Sequence, residues 1–159
     1  MVELVRERLH LAAESLLVDA YAGVGTFAAL LAPHCKRVLA IEEAPSAVED
    51  AREGASDVHN LEFVMAKTEE ALARPGFLPS PPDALIMDPP RKGCHPSALE
   101  ALKKLAPRRV VYVSCDPATL ARDLRFLLTA GYQLEQVTPF DMFPQTYHIE
   151  SISTLRLKV

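Results

Sequence analysis

The chain has 159 residues, 49% of them hydrophobic and 24% charged, and carries a formal net charge of −4. That is the size and make-up of a single globular domain; the chain has no apolar run of the ~20 residues a membrane helix needs, and its N-terminus is too acidic for a signal or transit peptide. The three cysteines, Cys35, Cys94 and Cys115, are far apart, with neither a CxxC pair nor a Cys/His cluster, so no metal site or disulfide framework is expected, which fits a reducing cytoplasm. The acidic balance argues against a self-sufficient RNA grip, because phosphate contacts dominate such binding.

In chain order, the spacing of Leu4, Val5, Leu9 and Leu11 predicts a helix over 3–14. Ser15–Ala20 reads as a short buried strand ending at an acid, Asp19. Thr26–Ala32 is a helix stopped by Pro33, and Arg37–Ile41 is a second buried strand. Ser46 is the expected N-cap of a helix over 47–55. A third strand at Leu61–Met65, a helix near Thr68–Ala73 and a proline-rich loop over 74–82 follow. Then come a strand at Ala84–Met87 ending at Asp88, a helix at Pro96–Leu105 and a strand at Arg109–Ser114. The helix over 117–130 is closed by Gly131. Strands over 132–139 and 149–158 end the chain with no helix between them.

Strands alternating with helices predict an α/β fold with a mostly parallel sheet covered on both faces, and the last two strands predict an antiparallel pair at one edge. This is the layout of the Rossmann-like S-adenosylmethionine-dependent methyltransferase fold. Ligands of such sheets bind at the carboxyl ends of the strands, where Asp19, Glu42, Asp88 and Cys115 all fall.

Val18-Asp19-Ala20-Tyr21-Ala22-Gly23-Val24-Gly25-Thr26-Phe27 lies between a strand and a helix. Its glycines allow a sharp turn and a close ligand. Glu42, at the next strand end, suits ribose hydroxyls. The motif fits a methyl donor or NAD. Asp19 and Tyr21 tilt it toward a methyl donor, because an acid beside a pyrophosphate would repel it. Asp88-Pro89-Pro90-Arg91-Lys92-Gly93 is a turn stiffened by two prolines that holds Asp88 at a pocket rim. In Ser114-Cys115-Asp116-Pro117-Ala118-Thr119-Leu120-Ala121-Arg122-Asp123, Asp116 suits an N-cap and Pro117 a first helical turn, which sets Cys115 beside a helix start, where a thiolate is favoured. The fourth motif, Asp141-Met142-Phe143-Pro144 through His148-Ile149-Glu150, joins the last two strands.

Together the four motifs resemble the RNA uracil-5-methyltransferase family, which forms 5-methyluridine in tRNA and rRNA, over about Leu16–Leu157. The resemblance implies that Cys115 is the nucleophile and Glu150 the general base. The implied donor-binding residues are Tyr21, Thr26, Glu42 and Asp88, to which the glycine motif itself adds Asp19, Gly23 and Gly25, and the implied cofactor is S-adenosyl-L-methionine. RNA, either rRNA or tRNA, is the implied substrate. Many members carry Asn where this chain has Asp116. The family's Phe-x-Gln segment and RNA-binding module precede this region, so residues 1–159 are expected to be one catalytic domain from a longer enzyme. The alternatives are a non-catalytic donor- or RNA-binding paralogue and an NAD-dependent oxidoreductase. Arg91, Lys92, Arg122 and Arg125 are the local cations that could face RNA phosphates.

Overall fold

A computed structural model describes residues 1–78, 80–141, 145 and 149–158. The elements are α1 (Val2–Leu9), β1 (Leu16–Asp19), α2 (Thr26–Leu31), β2 (Arg37–Glu42), α3 (Pro45–Gly54), β3 (Leu61–Met65), α4 (Thr68–Ala73), β4 (Ala84–Met87), α5 (Pro96–Leu105), β5 (Arg109–Ser114), α6 (Pro117–Thr129), β6 (Tyr132–Phe140) and β7 (Glu150–Leu157). A short 3₁₀ turn, Ala32–His34, continues α2 through Pro33.

The expected alternation is present, and two local expectations are corrected. The first helix stops at Leu9 rather than reaching Glu14. His10 turns left-handed at φ 51, and Ser15 then closes a turn, its hydroxyl accepting from Ala12 N–H at 2.9 Å and its own N–H donating to Ala12 O at 2.9 Å. A side chain that satisfies the backbone locally competes with the helix. The second correction is Ser46, which is not a cap. The N-cap of α3 is Ala44, with no side-chain cap bond, and Pro45 occupies the first turn, where its missing N–H costs nothing.

The seven strands are ordered β3-β2-β1-β4-β5-β7-β6. β1 to β5 run parallel. β7 lies antiparallel between β5 and β6. The expected antiparallel closing pair is therefore present, and its second strand is the one inserted against the parallel set. Alternate residues of the strands feed two cores. Val18, Leu39, Leu85, Met87, Val110 and Tyr112 pack under α4, α5 and α6. Leu17, Val38, Ile86, Val111 and Val113 pack under α1 and α2. The order reverses between β1 and β4, the position at which open sheets of this kind bind their ligands. Among the described residues, no helix is long and apolar enough to cross a membrane.

Candidate active site

At the reversal point the chain leaves β1 by zigzagging between its neighbours: Ala20 N–H donates to Ile86 O and Ala22 N–H to Ile41 O, both at 2.9 Å. The glycine loop follows. Gly23, at φ 54, has open space where a Cβ would stand, whereas a Cβ on Gly25, at φ 80, would meet the Phe63 ring at 2.9 Å. The two glycines thus do different work: Gly23 faces the open side of the loop, and Gly25 lets the loop pack on β3. Thr26, exposed, opens α2.

Glu42 ties this loop to the next one. One carboxylate oxygen accepts from Gly23 N–H at 2.9 Å and the other from Ala44 N–H at 2.8 Å. Each oxygen keeps a lone pair for a ligand hydroxyl.

Asp19 is only 1% exposed, and neither of its carboxylate oxygens has a hydrogen-bond partner. Burial, reinforced by the nearby Asp88 carboxylate, pushes it up to about 7. The N–H groups of Ala28 and Tyr21 oppose the rise, but neither closes to a hydrogen bond. The Tyr21 hydroxyl is also buried without a hydrogen-bond partner, and burial raises its pKa, with Cys94 close by. Unpaired buried polar groups are costly, and the unpartnered Asp19 carboxylate at the end of β1 marks a place shaped for something else to bind.

Asp88 follows β4. It is an exposed residue, yet the surrounding walls withdraw enough water from its carboxyl to push it up to about 6, and the Glu150 carboxylate adds to the rise. Water that still reaches this rim position screens part of that repulsion. Asp19, Asp88 and Glu150 therefore converge on one edge of the sheet.

The β5–β7 ladder brings the last pair of candidates together. Its final register pair is Ser114 with Ser151, and Ser151 Oγ donates to Ser114 O at 3.3 Å. One step beyond that pair, in opposite directions along the chain, come Cys115 and Glu150. Both are half-buried, while Cys35 and Cys94 are buried. Ser114 Oγ accepts from Asp116 N–H at 3.1 Å, which holds the turn that presents Cys115. Asp116 is the N-cap of α6, as expected: its Oδ1 accepts from Thr119 N–H at 2.8 Å. This bond, with Arg91 also nearby, holds its carboxyl below the usual range. The carboxylate beside Cys115 is thus turned onto the helix start.

Met142, Phe143, Pro144 and His148 of the fourth motif lie outside the described residues. Of the candidate cations, Arg122 is exposed but already occupied, its Nε donating to Asp123 Oδ1 at 2.8 Å and its Nη2 to Lys92 O at 3.1 Å. Lys92 and Arg125 are exposed. Among the described residues, no group of three or more His, Cys, Asp or Glu could hold a metal. A cleft of about 640 Å³, lined by Lys36, Arg37, His59 and Asp83 among others, lies at the opposite, amino-terminal edge of the strands, away from every candidate residue. What the sequence reading overlooked is a polar cluster under the second and third motifs. Its signal was Asp123, an acid on the α6 stripe of Leu120, Leu124 and Leu127.

The fold is that of the S-adenosylmethionine-dependent methyltransferases. An rRNA methylase from Streptococcus thermophilus shares it at a TM-score of 0.77 and 19% identity, over 99% of this chain and 96% of that one. Residues 82–158 match the model of the tRNA (Uracil-5-)-methyltransferase family, which bears out the resemblance read from the motifs. An uncharacterized RNA methyltransferase of Staphylococcus aureus is 44% identical over 154 residues, 96% of this chain and 34% of that protein. One of Oceanobacillus iheyensis is 43% identical over 148 residues, 92% of this chain and 32% of that protein. The Pyrococcus abyssi tRNA (uracil-54, C5)-methyltransferase, solved with S-adenosyl-L-homocysteine, superimposes at a TM-score of 0.79 and 33% identity, over 97% of this chain and 36% of that one. The chain therefore spans about a third of the length of the curated relatives it matches.

Proposed function

We propose that this chain is the catalytic domain of an RNA methyltransferase that transfers a methyl group from S-adenosylmethionine to C5 of uracil in tRNA or rRNA. The observation that carries this reading is the β5–β7 register, which sets Cys115 and Glu150 at the edge where Asp19, Gly23, Glu42 and Asp88 converge.

The residues present fit the donor. The unpaired Asp19 carboxylate suits its cationic amino-acid end, Tyr21 stands in the loop that follows it, and Glu42 has lone pairs for the ribose hydroxyls. Gly23 leaves the loop open to the ligand, Gly25 and Thr26 shape the turn into α2, and Asp88 stands at the rim. When bound, S-adenosylmethionine supplies an electrophilic methyl group on a sulfonium.

The rest falls to the chain. Uracil C5 is too weak a nucleophile unaided. Cys115 Sγ adds to C6, the C5–C6 π pair moves to C5 and the O4 carbonyl, and C5 becomes nucleophilic. Cysteine suits this task because its sulfur both attacks and leaves well. Once C5 carries the methyl group, the Glu150 carboxylate takes the C5 proton. The electrons of the broken C5–H bond re-form C5=C6, and the S–C6 bond breaks to return the thiolate. The acidic charge of the chain is consistent with most of the RNA grip belonging to the rest of a longer protein.

The direct test is Cys115→Ala in the complete natural protein. S-adenosylhomocysteine affinity should stay within about threefold of wild type, because Cys115 is not among the residues assigned to the donor, while 5-methyluridine in RNA falls to background by mass spectrometry. Product well above background from the alanine variant would remove Cys115 as the nucleophile.

A further inference from the structure

Beneath the second and third motifs lies a polar cluster that none of the roles above uses. Asp123 has no exposed surface. Its Oδ2 accepts from the Tyr112 hydroxyl at 2.6 Å and from Cys94 N–H at 2.8 Å, and its Oδ1 accepts from Arg122 Nε at 2.8 Å. Arg122 continues onto the same loop, its Nη2 donating to Lys92 O at 3.1 Å and to Cys94 O at 3.3 Å. One turn earlier, Thr119 Oγ1 donates to Arg91 O at 3.0 Å. Gly93 passes between them at φ 73, and a Cβ there would stand 2.5 Å from Arg122 Nη2 and 2.7 Å from Asp123 Oδ2. The loop from Arg91 to Cys94 is thus held residue by residue against α6.

A buried carboxylate is an expensive way to tie a loop to a helix, since a well-packed apolar contact often stabilises as much. What the ionic version adds is directional geometry: three fixed acceptor directions that hold one arrangement. The two segments joined are the loop that begins at Asp88 and the helix that begins beside Cys115. On its other side Cys94 stands 3.5 Å from the Tyr112 hydroxyl and next to Tyr21 of the glycine loop.

We propose that Asp123 is a positioning residue that clamps the Asp88–Cys94 loop onto α6 and so sets the placement of the donor-side carboxylate relative to the Cys115 thiol. The proposal rests on the uracil-methylation reading above. The clamp matters because misplacing reacting groups by about 1 Å can cost on the order of 10²-fold in rate.

The test uses the complete natural protein with two substitutions. Asp123→Asn turns an amide toward donors on one side or the other. Thr119→Val removes the tie to Arg91 O together with the Thr119 Oγ1 contacts to Asp116 Oδ1 and Asp116 O at 3.1 and 3.3 Å, but it keeps the side-chain shape and the cap bond from Thr119 N–H, so it folds even where the first variant does not. Titration with S-adenosylhomocysteine counts binding-competent sites and gives the donor Kd, and single-turnover methyl transfer at saturating RNA and donor gives the rate per site. The expected result is a drop of roughly 10- to 100-fold for Asp123→Asn and several-fold for Thr119→Val, with donor Kd within about threefold. Wild-type rates per competent site in both variants would overturn the clamp, leaving a merely structural tie, and so would a loss confined to donor Kd. Alkylation of Cys115 at fixed pH is the readout that needs no substrate. It should quicken several-fold as the loop beside it loosens, while buried Cys35 stays protected. If wild type makes no 5-methyluridine, the uracil reading fails on its own. The clamp is then judged on alkylation alone, with equal rates in all three proteins overturning it.

Discussion

Asp19 offers the sharpest test of how the donor pocket is built. Its carboxyl is buried, unpaired and pushed up to about 7 from an ordinary 3.8. The folded protein therefore holds this proton more tightly than the unfolded chain does. The stability contributed by the group is full below 3.8 and is lost as pH rises through about 7. At about 1.4 kcal/mol per tenfold in acidity, the total is about 4 kcal/mol. Asp19→Asn imitates the protonated form and does not titrate. It should exceed wild type in stability by between about 1 and 2 kcal/mol at pH 5, opening to about 4 kcal/mol at pH 8. In a domain of this size that is a gain of about 10 °C in Tm at pH 8. Ligand-free protein would be followed by thermal unfolding at several pH values. The same variant should bind S-adenosylmethionine roughly 10- to 100-fold more weakly at pH 8, having lost a charge-assisted contact, while wild-type affinity climbs as pH rises through 7. A stability gap that is the same at pH 5 and pH 8 would refute the argument, because it would mean that burial does not hold the carboxyl protonated.

Glu150→Gln should allow addition and methyl transfer but stall C5 deprotonation, lowering turnover by about 10²–10⁴; a methylated covalent RNA–protein adduct should accumulate on denaturing gels, and loss of turnover with no adduct would assign Glu150 another role. Gly25→Ala should destabilise by about 2–4 kcal/mol in urea unfolding, from its left-handed backbone and the Phe63 ring 2.9 Å from the new methyl group. Gly23→Ala meets no atom within 4 Å, so about 1 kcal/mol of stability should go and donor affinity should fall further than stability does; equal losses of stability at the two positions would contradict the division of labour between them.

Much of this protein was legible in the sequence because its signals are local. Apolar runs placed the parallel strands, those of β1, β2 and β4 ending at or just before acids, and Asp116 and Pro117 announced the start of α6. The motif around Cys115 carried a family resemblance that the comparisons bear out. Local signals failed where a local competitor intervened: the Ser15 turn ends α1 early, and Pro45 starts α3 with no help from Ser46. Only the tertiary structure decided which distant groups meet. Antiparallel β7 enters between β5 and β6, so Glu150, at the start of a late strand, reaches the edge where Cys115 ends an earlier one. No periodicity encodes that neighbour, because strand order is settled by how whole elements pack. The same holds for Asp123, whose place on an apolar helix face was visible in the sequence, while its partners on β5 and in the loop after Asp88 were not. The Asp123 charge is stabilised by donors that converge on it from separate segments, and that convergence exists only in the folded chain.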